Sequence, residues 1–231
     1  DNSKGYSVPS AMGREIDAPA LRFELNRENL DSEIEATYSG IMDGSLWIEG
    51  IDFLRTSLSE ELGIGPFTAD HVLRMVIPRV PNGSGIMSYL EAVENLTPEQ
   101  VVAYGARWAN TVSETNRGPG GMQKFIDAIE EQDWSDKQLV TRLLTKWTVR
   151  SLTHGLGISM LQSGRAFTGC RDEDLGFHVD VKDISKPVIW IYDRTPQGNG
   201  ATELIRKFFH VPKVLGHLRN HTKVQENLRR N

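Results

Sequence analysis

Val188-Ile189-Trp190-Ile191-Tyr192-Asp193-Arg194-Thr195-Pro196-Gln197-Gly198-Asn199-Gly200-Ala201 is the stretch from which the architecture is read. Val188 to Tyr192 is an unbroken apolar run of β-branched and aromatic residues, which predicts a central strand, buried on both faces and parallel to a neighbour. It delivers Asp193 at its C-terminal end, a loop with two glycines follows, and Ala201 to Phe209 has the spacing of a helix. The loop supports two readings. Free backbone N–H groups beside a helix N-terminus form a cradle for an anion at Gly198, Asn199 and Gly200. A tight turn that needs positive φ at its glycines has the same spacing. No Gly-Lys-Ser/Thr completes a Walker A motif, and Gly198-Asn199-Gly200 lacks the third glycine of a dinucleotide fingerprint.

Working outward, Phe177-His178-Val179-Asp180-Val181 and Leu21-Arg22-Phe23-Glu24-Leu25 alternate as half-buried strands do. The rest is helical in pattern: 28–42, 48–62, a helix capped by Thr68 and stopped by Pro78, and 97–112, where Thr97-Pro98-Glu99-Gln100 is a capping box. A short amphipathic helix is expected over 122–130. Ser135-Asp136-Lys137-Gln138 repeats the capping logic and opens the longest periodic segment, to about Met160. The expected class is mixed α/β: a sheet with a buried central strand near 188–192 flanked by helices, plus a helix-rich N-terminal part. Pro81-Asn82-Gly83-Ser84-Gly85 is a loop and an internal boundary, and the chain is divided into an N-terminal α+β part, 1–95, and a C-terminal α/β part, 96–231.

With 231 residues, 39% hydrophobic and 25% charged, and a mean hydropathy of −0.38, the chain is long enough and apolar enough to bury a core without disulfides. Its apolar runs fall far short of the roughly 20 residues that span a bilayer. The one cysteine, Cys170, cannot form an intrachain disulfide or a four-cysteine zinc site, and fits a cytoplasmic setting. The opening Asp1-Asn2-Ser3-Lys4, without an initiator Met, fits a portion of a longer protein. The formal charge of −5 hides an asymmetry. Residues 204–231 hold Arg206, Lys207, Lys213, Arg219, Lys223, Arg229 and Arg230 against Glu226, a net +6, leaving −11 on the first 203. Such a segment is either a solvated basic face or a surface for a polyanion.

On the helix that starts near Ser135, steps of three and four place Val140, Leu143, Trp147, Ser151, His154 and Ile158 on one stripe, so His154 is expected to face inward. It is then a core histidine donating to a carbonyl or carboxylate, or part of a site shared with the loop at 193–200. His210, His217 and His221 offer metal spacing, opposed by Lys213, Arg219 and Lys223. A triad of Ser151 or Ser163 with His154 and Asp193 can be drawn, though no Gly-x-Ser-x-Gly elbow supports it.

Val149-Arg150-Ser151-Leu152-Thr153-His154-Gly155-Leu156, then Ser163-Gly164, then Ile191 to Ala201, resemble a helicase-associated domain of the MrfA-type zinc-binding family. That domain is found with Lhr-like and MrfA-type DNA helicases and in the helicase-partner subunit of the DISARM antiphage system. The resemblance covers Val140 to Phe209 and implies site residues at His154, Asp193, Gly198 and Gly200, with Tyr192 as their neighbour. Arg150 stands where the family has its first histidine, and the family's cysteine cluster is absent, so zinc enters only if flanking sequence supplies ligands. The resemblance implies a non-motor accessory module of a DNA-processing or antiphage helicase system. Its expected partners are nucleic acid, DNA in the family's setting, and a helicase or ATPase subunit, with no membrane. Gly198, Asn199, Gly200, Arg206, Lys207, Lys213, Arg219 and Lys223 are the candidate nucleic-acid contacts. The alternatives are a phosphodiesterase or nuclease using His154, oriented by Asp193, and a purely structural interaction domain.

Overall fold

A computed structural model describes residues 6–9, 15–61, 63, 65–111, 126–127, 129–134 and 136–209. The fold is mixed, as expected, and rich in helix. Its elements in chain order are β1 (Tyr6–Pro9), β2 (Glu15–Ala18), β3 (Ala20–Glu24), α1 (Asp31–Asp43), α2 (Trp47–Glu61), α3 (Pro66–Val76), α4 (Ile86–Glu94), α5 (Pro98–Thr111), α6 (Lys137–Thr168), β4 (Leu175–Asp180), β5 (Val188–Asp193) and α7 (Ala201–Phe209). Two compact units result, one of residues 1–30 with 149–231, the other of 31–148. The division therefore falls at 30/31 and 148/149 rather than at 95/96, because β3 leaves its sequence neighbours to pair with β5, Leu21 opposite Ile191. Among the described residues no helix is long and apolar enough to cross a membrane.

In the first unit the sheet order is β3-β5-β4, so the apolar strand is central as its composition requires. Both of its pairings are antiparallel, against the expected parallel neighbour. Only residues 181–187 separate β4 from β5, and a connection that short cannot make the crossover a parallel pair needs. One sheet face is closed. Leu21, Phe23, Leu175, Phe177, Ile189 and Ile191 cluster there with Met160 and Leu161 of α6 and Ala201 and Ile205 of α7. Arg165 ties the end of α6 to this sheet, donating from Nη2 to the Leu175 carbonyl at 2.8 Å and pairing with Asp172 at 3.1 Å.

The second unit is helical, with a core drawn from Phe53, Leu54, Leu58, Val72, Leu73, Val76, Tyr89, Leu90, Val93, Leu144 and Trp147. The capping box before α5 is formed as expected: the Thr97 N–H donates to Gln100 Oε1 at 3.0 Å, and the Gln100 N–H to Thr97 Oγ1 at 3.3 Å. α3 starts earlier than its threonine suggests. Gly65 is the cap and Pro66 opens the helix, leaving Thr68 buried within the first turn. At the start of α6 the cap is Asp136, whose Oδ1 accepts from the Gln138 N–H at 2.8 Å, while Ser135 lies outside the described residues.

α6 contributes residues 137–148 to the helical unit and the remainder to the sheet unit, and its buried stripe changes accordingly. Val140, Leu143, Leu144 and Trp147 are buried on one side; Thr153, Gly157, Met160, Leu161 and Gly164 are buried roughly a third of a turn around the helix. Ser151 and His154 continue the first stripe after the burial has moved, and both are exposed. The expectation that His154 faces inward is thereby corrected.

Two glycines on α6 separate propensity from packing. A Cβ at Gly155 meets nothing within 4 Å, whereas one at Gly157 lies 2.8 Å from Phe177 Cδ2 and 3.5 Å from Ile189 Cγ2. Gly155→Ala should stabilise the fold by about 0.5–1 kcal/mol through helix propensity. Gly157→Ala should destabilise it by about 1–2 kcal/mol, because overpacking against the sheet exceeds the same gain. Paired urea titrations check the opposite signs. In the helical unit, Tyr89 is buried and its hydroxyl has no hydrogen-bond partner among the described residues; burial pushes its pKa up from 10.0 to about 12. A raised folded-state pKa gives stability that is complete below pH 10 and lost as pH climbs through 12. Tyr89→Phe should raise stability at neutral pH by about 1 kcal/mol and flatten the decline between pH 10 and 12, read from denaturant midpoints.

Candidate functional site

The end of β5 meets the start of α7 through a turn with three residues at positive φ. Gln197 and Gly198 have φ of 68° and 80°, and Gly200 has 83°. The Gly198 N–H closes the turn on the Thr195 carbonyl at 2.9 Å. A Cβ at Gly198 would stand 2.7 Å from Pro19 Cγ and 2.8 Å from Asp193 Oδ2, so this position is glycine for space as well as for φ.

This turn wraps a carboxylate. Asp193 is fully buried. Its Oδ2 accepts from the Asn199 N–H at 3.1 Å and the Gly200 N–H at 3.3 Å, and its Oδ1 from the Thr202 N–H at 2.8 Å. Asn199 completes the cap, accepting from the Ala201 N–H at 3.1 Å and donating from Nδ2 to Asp174 Oδ1 at 2.9 Å. Asp174 in turn accepts the Arg194 N–H on its carbonyl at 2.9 Å and the Arg171 N–H on Oδ2 at 2.8 Å. The anion cradle read from the sequence is thus formed, and the anion it holds is the chain's own. The backbone amides of Gly198, Asn199 and Gly200 all donate within the chain, the first to Thr195 and the others to Asp193.

His154 is placed differently. Its ring lies on Phe177, centroids 5.1 Å apart and tilted by 53°, at an exposed position. Phe177 is opposite Ile191, whereas Leu175 is opposite Asp193, so the two candidates sit two residues apart in register, about 7 Å along the sheet. No described hydrogen bond joins them, and the oxygens of Asp193 are already engaged by amides. Ser151 is exposed and Ser163 fully buried, so a triad is not assembled either.

Of the basic candidates, Arg206 grips Glu203 through Nε and Nη2 at 2.9 and 2.7 Å. The guanidinium holds the Glu203 carboxyl below its ordinary range, and Glu203 raises the guanidinium pKa. Lys207 is exposed. Lys213, Arg219 and Lys223, with His210, His217 and His221, lie outside the described residues. Cys170 is the chain's one cysteine, and among the described residues no group of three His, Cys, Asp or Glu side chains could hold a metal ion; what is present does not fit a zinc centre.

A second feature was missed from the sequence. On the sheet face opposite α6 and α7, Arg22, Trp190 and His178 stand side by side across the three strands, followed by Ala20, Tyr192 and Gly176. Arg22 and His178 are exposed, Trp190 and Tyr192 half-buried. The alternation of β3 and β4 carried the signal: if both neighbours of a central strand have a polar face, that strand contributes to the same face. Charge also divides by unit. Residues 1–30 with 149–231 hold 17 Lys and Arg against 13 Asp and Glu, a net +4, whereas 31–148 hold 9 against 18, a net −9. Compared with protein-family models, curated proteins and solved structures, the chain matches none.

The Asp193 cap makes its own prediction. Asp193→Asn removes the charge at a helix N-terminus and turns an NH2 group toward N–H donors, and should cost about 2–3 kcal/mol in chemical unfolding. His154→Ala, at an exposed site, should cost less than about 0.5–1 kcal/mol. Equal costs would mean that the cap does not hold α7 to the sheet.

Proposed function

We propose that this chain is a non-motor, nucleic-acid-binding module that works beside a helicase or other ATPase in DNA processing or antiphage defence. The observation that carries the reading is the partition of charge. The positive balance of the sheet unit comes from residues 204–231, net +6, while the helical unit at −9 repels the same polyanion. A polyanion therefore meets the sheet unit first, through phosphate contacts made by the basic segment. The acidic helical unit is left to protein contacts, the partner subunit among them. A hydrolytic role for His154 and Asp193 has less support, since the carboxylate that would orient the histidine is saturated by backbone amides.

Fluorescence anisotropy with random-sequence duplex DNA at several salt concentrations tests the proposal. With about four phosphates contacted, log affinity should fall against log salt with a slope of about −3.6, at roughly 0.9 per contact. The double substitution Arg219→Ala with Lys223→Ala should flatten that slope by about 1 to 2. Absence of binding, or identical slopes, would leave the basic segment without this role.

A further inference from the structure

We infer that Asn82 is a site of spontaneous covalent modification, at which attack by the Gly83 backbone nitrogen converts the side-chain amide into aspartate and isoaspartate, while the fold shields the chain's other Asn-Gly pair. An asparagine is vulnerable where glycine follows it, because no Cβ hinders the approach of the next backbone nitrogen to the side-chain carbonyl carbon. The sequence has that pair twice, as Asn82-Gly83 and as Asn199-Gly200. By sequence the two are equivalent.

Their surroundings separate them. Asn199 accepts from the Ala201 N–H on Oδ1 at 3.1 Å and donates from Nδ2 to Asp174 Oδ1 at 2.9 Å, and the nitrogen that would attack, that of Gly200, donates to Asp193 Oδ2 at 3.3 Å. All three bonds must break before a ring can close. Asn82 and Gly83 are exposed in the connection between α3 and α4, in a turn that the Ser84 N–H closes on the Pro81 carbonyl at 3.1 Å. Among the described residues no hydrogen bond engages the Asn82 amide or the Gly83 N–H. A Cβ at Gly83 would meet nothing within 4 Å, so the attacking residue also has open space around it.

The Gly83 nitrogen gives its proton to solvent and attacks Asn82 Cγ. The new N–Cγ bond forms as the Cγ–Nδ2 bond breaks, and Nδ2 takes up a proton and leaves as ammonia. Water then opens the cyclic imide. Opening at Cγ gives aspartate on the original backbone, and opening at the backbone carbonyl gives isoaspartate, in which the chain runs through the former side chain and gains one carbon. Either product adds a negative charge to a helical unit already at −9. Isoaspartate also lengthens the backbone beside a close contact. A Cβ at Gly44 would overlap the Gly83 carbonyl and one at Gly85 the Met42 carbonyl, so residues 83–85 lie directly against the end of α1.

The test ages the full chain at neutral and at mildly alkaline pH and follows both pairs by peptide mapping with mass spectrometry. Asn82 should convert about 100-fold faster than Asn199, which corresponds to about 2.7 kcal/mol of barrier at roughly 1.36 kcal/mol per decade. Conversion should quicken as pH rises, since the attacking nitrogen must be deprotonated, and the aged Asn82 peptide should accept methyl groups from a protein isoaspartate methyltransferase. In concentrated urea the two rates should converge, because the fold alone separates them. Equal rates in the folded chain, or an Asn82 that converts only in urea, would overturn the assignment.

Discussion

A carboxylate taken out of water is stabilised only if its oxygens find donors, and Asp193 finds three backbone N–H groups at once. Those donors belong to the turn and to the first residues of α7, so the position of the helix is set by the end of β5. The dependence extends further. The Asp193 N–H bonds the Pro19 carbonyl at the entry to β3, and Asn199 and Arg194 both bond Asp174 just before β4. Asp193 and the turn it organises thus join all three strands to the helix that closes their inner face. Without Asp193 the amide of Thr202, a buried residue in the first turn of α7, would be left without its acceptor.

The second organising element is α6, which serves two cores in succession. An amphipathic helix normally keeps one stripe, and a single stripe drawn through α6 puts Ser151 and His154 inside. The helix abandons that stripe after Trp147 because the surface it must cover changes from helices to a sheet. Gly157 and Gly164 sit on the new stripe, and each lets the helix approach closely, the first to Phe177 and the second to Ile205. Small residues at these positions are what the sheet and α7 require. Seen from the sequence alone, they look like losses of helix propensity beside a histidine.

How far the fold was legible follows from whether its signals were local. The capping box at Thr97, the strand at 188–192 and the helix at 201–209 are local, and each is found where the pattern puts it. The domain division was not local: β3 reads as a strand grouped by sequence with the helices that follow it, and its pairing with β5 has no mark in nearby residues. The antiparallel register was legible and was overlooked, since residues 181–187 are too few for a crossover. At the site, glycine spacing correctly indicated an anion held by amides, but spacing cannot say whether the anion is internal. The residue that decides the matter, Asp193, was already in the motif, six positions before the first amide it accepts from. His154 failed as its partner because helical periodicity was extended across a change of core.

Self-occupation of the cradle bears on what the sheet unit can do. In many α/β proteins the loop after a central strand is where a ligand's phosphate is met by amides. Here those amides are satisfied, and displacing Asp193 would bury an unpaired carboxylate, so the turn is not free to hold an outside phosphate. Among the described residues Arg194 and Lys207 are exposed, whereas Arg22, on the sheet face opposite α6 and α7, is paired with Glu24. On the proposed reading this separates two tasks that a phosphate loop would combine: the charged segment governs encounter and salt dependence, and the turn after β5 holds the fold together. That hold has a structural source, because the central strand ends in Asp193, whose carboxylate accepts from the amides that open α7.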